Sequence, residues 1–157
     1  MAFGKGWVRR LWLTVALVDM GLQYGVKARL KSLFGTCVIC DRYLEDGLID
    51  LSLRFPEMIH TDGCMAKVLR CICPKPDHAL LLMLTGDQQK SRMVAKNEPF
   101  PDSERIRLSR LEAYQKLAVS DRVEVIDASR SIEEVFADIS GRLGLIGLPE
   151  AEASAHR

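Results

Sequence analysis

The chain has 157 residues, with 22 Lys+Arg against 21 Asp+Glu and a formal net charge of +1. That balance gives no support to nucleic-acid binding through bulk charge, and 48% hydrophobic with 27% charged residues excludes a disordered, collagen-like or low-complexity chain. A length of this order suits one domain that buries roughly 70% of its unfolded surface, and an odd count of five cysteines favours a reducing, cytoplasmic setting over a secreted disulfide framework.

Near the start, Arg9-Arg10 precede the apolar run Leu11 to Val18. This imitates a signal peptide, but Asp19 closes the run and no small-x-small cleavage site follows. The run is also far short of the ~20 residues that span a bilayer. Apolar side chains at Val8, Leu11, Trp12, Val15, Val18, Leu22, Val26, Leu30 and Leu33 instead step by three and four. They predict one long amphipathic helix over 5–34, capped by Gly35. Lys5, Arg9, Arg10, Lys27, Arg29 and Lys31 face a single acid, Asp19, along this segment. A membrane-surface helix has such a pattern; a docked helix with a solvated basic face is the preferred reading in a globular chain.

Thr36 to Cys40, short, apolar and β-branched after Gly35, reads as a buried strand. Helices are expected over 43–55, ended by Pro56, and over 61–72, ended before Pro74-Lys75-Pro76. His78 to Thr85 reads as a second buried strand, and Gly86-Asp87 as a turn and cap for a helix over 88–96. After the Asn97 to Pro101 loop, Asp102-Ser103 announce a helix to about Val119. Val123 to Ile126 reads as a third strand, and Ser131 with Glu134 opens a last helix as a capping box. Strands alternating with helices predict an α/β fold with a parallel sheet and crossover helices. The domain is expected over 1–148, followed by a flexible tail over 149–157.

In open α/β sheets ligands sit beyond the carboxyl ends of the strands. The candidates are Asp41-Arg42, Thr85 to Asp87, and Asp127-Ala128-Ser129. A strand-end Asp can hold a hydrated Mg²⁺, and a neighbouring Arg offers a planar fork for phosphate; a structural ion pair is the plainer alternative. Arg92 and Lys96 share a helical face beside a proline-bounded loop, as a cationic lid over phosphates would; a solvated helix face has the same spacing. Cys37, Cys40, Cys64, Cys71 and Cys73, with His60 nearby, raise a zinc site. However, Val38-Ile39 lack the turn a zinc knuckle needs, and residues three apart on a strand face opposite sides. Buried free cysteines are the preferred expectation.

Val38-Ile39-Cys40-Asp41-Arg42-Tyr43, the lid-like stretch Arg92 to Glu98, the helix ending Arg110-Leu-Glu-Ala-Tyr114 and Val125 to Ser129 occur in this order. Together they resemble the thymidylate kinase-like branch of the P-loop nucleoside monophosphate kinases, over about residues 7–143. The resemblance implies transfer of the ATP γ-phosphate to a nucleoside monophosphate, with ATP and Mg²⁺ as cofactors. Arg42 would bind the acceptor phosphate, with Tyr43 and Asp46 beside it in the substrate site. Asp41 would organise Mg²⁺ through water, and Arg92 and Lys96 would surround the transferred group. Asp127, Ala128 and Ser129 would border the adenine. Where the family commonly has Ser and then Ala-Tyr-Gln, this chain has Asp46 and Ile49-Asp50-Leu51, so the resemblance does not carry thymidine specificity over and leaves the acceptor open.

No G-x-x-x-x-G-K-[ST] occurs in the chain. The resemblance therefore implies a P-loop NTPase-like fold lacking its first two strands: an incomplete parallel three-layer sheet with exposed apolar surface. The missing phosphate cradle implies a fragment or remnant inactive by itself. The expected partners are an acceptor nucleotide and either a separate amino-terminal segment or a second copy, with neither nucleic acid nor membrane. A non-catalytic nucleotide-binding or interaction remnant is the alternative, and a cysteine-based metal module a lesser one.

Overall fold

Apolar residues at steps of three and four turn residues 6–33 into one helical run. It comprises α1 (Gly6–Met20), a wider π-helical stretch (Gly21–Lys27) and α2 (Ala28–Leu33). The computed structural model describes residues 6–84 and 103–145. Gly35, at φ +71°, terminates the run as its sequence position predicts. Gly25 lies so close to α4 (Cys64–Ile72) that a Cβ there would stand 2.7 Å from Ile72 Cγ2, so a side chain would push the two helices apart.

Tyr43 is extended and starts α3 (Leu44–Arg54), whose first turn carries Glu45 and Asp46, the charge sign a helix amino terminus favours. Pro56 follows its end. Leu13 and Leu17 of α1 pack with Leu44, Leu48 and Leu51 of α3, Phe55, Ile59, and Ala66 and Leu69 of α4 in one apolar core. Trp12 stacks on Phe55 with ring centroids 5.3 Å apart. Arg70 of α4 clamps Glu45 of α3 through two hydrogen bonds of 2.7 Å, from Nε to Oε1 and from Nη2 to Oε2.

By contact density the chain forms two units: Met1–Pro76 with Ser103–Tyr114, and Asp77–Asp102 with Gln115–Arg157. Helix α5 (Glu104–Ala118) gives residues 104–114 to the first. In the second, β1 (Leu80–Met83) pairs in parallel with β2 (Glu124–Asp127), Leu80 opposite Glu124 and Met83 opposite Asp127. Ile126 is fully buried. Ser131 caps α6 (Ile132–Arg142) in the predicted capping box: its hydroxyl accepts from Glu134 N, and the Glu134 carboxylate accepts from Ser131 N.

The chain is thus mixed α/β, mostly helical, with a small two-stranded parallel sheet among the described residues. One expected strand is absent. Thr36 to Cys40 is extended but exposed and joins no ladder, with Ile39 91% accessible. A β-branched run becomes a strand only where a neighbour takes up its backbone groups, and the first unit offers none among the described residues. The cysteines are free, as expected, but only Cys73 is buried. The expected helix over 88–96, its Thr85 to Asp87 turn and the tail over 149–157 lie outside the described residues. No described helix is long and apolar enough to cross a membrane.

Candidate functional site

The turn from Asp41 to Tyr43 redirects the chain from the extended 36–40 segment into α3. Arg42 makes that turn at φ +65°, the one described non-glycine residue in the left-handed region. A Cβ makes this conformation costly, so neighbouring contacts must hold it. Tyr24 does so from the π-helical stretch, donating its hydroxyl to Arg42 O at 3.2 Å. Tyr43 packs edge-on against Tyr24 with centroids 4.8 Å apart and donates to Pro74 O at 2.7 Å. Burial is the main reason the Tyr43 hydroxyl is pushed up to about 12, so it remains a donor at any physiological pH.

Beyond the turn, Asp46 and Asp50 stand four residues apart and so share one side of α3. Arg42 Nη1 lies 3.7 Å from Asp46 Oδ2. From α5, Tyr114 donates its hydroxyl to Asp46 Oδ1, and Arg110 Nη1 lies 2.9 Å from Asp50 Oδ1. The two helices thus present complementary pairs in matching steps of four. Asp46 is half-buried, and desolvation raises its pKa against the opposing pull of Arg42, with Asp50 adding a further upward push. The Arg42 side chain is 67% exposed, its loose contact with Asp46 leaving it reachable from solvent.

Arg42, Tyr43 and Asp46 therefore come together as the sequence suggested, with Asp41 exposed at the same turn. Asp41 is not the end residue of a buried strand, because 36–40 is no strand. Arg92 and Lys96 lie outside the described residues. Asp127, Ala128 and Ser129 belong to the second unit; Asp127, expected just past the strand, is the last residue of β2, and Ala128 and Ser129 follow it. Hydrogen bonding from the Ser129 side chain, and then from its backbone N, which Asp127 Oδ1 accepts at 2.9 Å, lowers the Asp127 pKa, and Ala128 N donates to Met83 O at 2.9 Å. This is a closed turn whose polar groups serve the chain itself. Tyr24, Asp50, Arg110 and Tyr114 were not singled out as site residues; the shared step of four in Arg42, Asp46, Asp50 and in Arg110, Tyr114 was the available signal.

Among the described residues no group of three or more His, Cys, Asp or Glu is gathered in a way that holds a metal ion. Asp41 alone is a thin donor set for Mg²⁺, which usually takes one or two carboxylates together with substrate phosphates. Compared with protein-family models, curated proteins and solved structures, the chain matches none.

Proposed function

We propose that the Asp41-Arg42-Tyr43 turn and the Asp46–Asp50 side of α3 form an acceptor-nucleotide site of the thymidylate kinase-like kind. On this reading the chain is a fragment or remnant of a nucleoside monophosphate kinase and is inactive in phosphoryl transfer on its own. One observation carries the reading. The stretch 38–43 and the stretch 110–114, whose residues resemble that family, lie far apart in sequence yet come close: Tyr114 donates to Asp46, three residues beyond Tyr43 at a position where this chain departs from the family pattern, 68 residues away.

The chemistry suits a nucleoside monophosphate. The exposed Arg42 guanidinium can take a phosphate through two parallel hydrogen bonds. Asp46 and Asp50 accept hydrogen bonds from the amino or hydroxyl groups of a nucleoside, a role the serine and glutamine of the family pattern do not fill identically. ATP and Mg²⁺ fit less well. The chain has no phosphate-binding loop motif, and the Asp127 turn spends its carboxylate on Ser129 N. The chain's own residues thus supply the acceptor side of the reaction.

The test is calorimetric titration of the whole chain with a panel of nucleoside monophosphates, and with ATP in the presence and absence of Mg²⁺, beside a phosphate-transfer assay. Binding of one monophosphate, weakened about tenfold or more by Arg42→Ala and accompanied by no transfer, is the expected result. Binding of none overturns the reading.

A further inference from the structure

The long helical run is apolar on two opposite sides. Leu13 and Leu17 are buried in the core, whereas Leu11, Val15, Val18, Leu22, Val26 and Leu30, spaced by three and four, are between 48% and 59% exposed. A soluble helix presents polar side chains there; one that is apolar all round is normally covered. The stripe leads directly into Thr36–Cys40, which is extended, exposed and β-branched at its centre. Among the described residues, the backbone groups of 37–40 enter no backbone hydrogen bond.

These two features call for different things. The stripe asks for apolar surface, which lipid, a second copy or another protein can supply. The extended segment is a template for strand pairing, which lipid tails cannot provide because they offer no hydrogen-bonding partner. Charge then separates the two proteins. Lys27 and Lys31 line a depression of about 420 Å³ together with Leu22, Val26, Leu30 and Phe34. Arg10 and Arg29 lie on the same run, and Asp19 is its only acid. A second copy packing this same face on itself would set bases against bases; a partner with acidic residues would not.

We propose that Thr36–Cys40 and the helix stripe leading into it receive a segment of a second protein that is apolar, strand-forming and flanked by acidic residues. The segment adds a strand along 36–40 and lays apolar side chains on the stripe. This inference goes beyond the acceptor site and uses none of its residues, so failure of nucleotide binding leaves it standing.

The experiment is amide hydrogen exchange on the whole chain, with a soluble peptide of alternating valine and threonine bearing glutamates at both ends. Saturable protection of residues 37–40 is expected. Ile39→Pro, which removes a backbone donor, and Val26→Glu, which charges the stripe, should each weaken it about tenfold or more. Both positions are solvent-facing, and far-ultraviolet circular dichroism checks that the variants remain folded. Three results overturn the proposal: no protection by the peptide; equal protection on raising the chain concentration without peptide, which assigns the face to a second copy; or protection of the helix by phosphatidylserine vesicles with none at 37–40, which assigns it to lipid.

Discussion

Tyr24 holds Arg42 in a backbone conformation that a non-glycine residue avoids, its hydroxyl donating to the Arg42 carbonyl oxygen at 3.2 Å while φ stands at +65°. The residue whose guanidinium faces solvent is therefore also the one described non-glycine residue at positive φ. Strain retained at such a point is consistent with a functional demand on the side chain.

Arg42→Gly separates the two roles. Glycine relieves the left-handed penalty, and the exposed ion pair with Asp46 contributes little to stability. Chemical denaturation should show a gain of about 0.5–1 kcal/mol, with loss of monophosphate binding in the same sample.

Asp46 gives stability a pH dependence. Burial raises its pKa in the folded chain above the ordinary value of 3.8, so the folded state holds a proton that the unfolded state has released. The stabilisation this brings is fully present below the unfolded value and is lost as pH rises through the folded one. Asp46→Asn should remove that decline and keep an acceptor for Tyr114. Thermal melts across the window that opens upward from 3.8 should show a flatter profile than the parent chain.

Leu48 is fully buried at the centre of the first unit's core. Leu48→Ala leaves a cavity among Leu13, Leu17 and Leu69 and should cost about 2–5 kcal/mol in urea denaturation.

In the second unit, Ser131→Ala removes the hydroxyl that accepts from Glu134 N. The expected loss is about 1 kcal/mol, read as earlier melting of α6 by hydrogen exchange. Glu134, whose pKa is lowered first by its hydrogen bond from the Ser131 backbone, should keep that bond and soften the loss.

Local signals in the sequence were dependable where the cause is local. Gly35, Pro56, Pro74 and the Ser131–Glu134 box end or begin helices through their own backbone chemistry, and each does so here. The strand expected at 36–40 failed because a strand depends on a neighbour, and the side-chain pattern of Val38-Ile39 carries no information about one. The buried-cysteine expectation fell for the same reason: Cys37 and Cys40 are exposed with the segment that holds them. At the site, Arg42, Tyr43 and Asp46 were legible from one short motif. The contribution of Arg110 and Tyr114 came only from tertiary packing, which brings α5 against α3.

The most direct measurement of the central claim is titration of nucleoside monophosphates into the whole chain and into its Arg42→Ala variant. The parent chain should bind at least one monophosphate saturably and the variant about tenfold or more weakly, with both remaining folded. Equal affinity in the two proteins, or no binding by the parent, would contradict the claim.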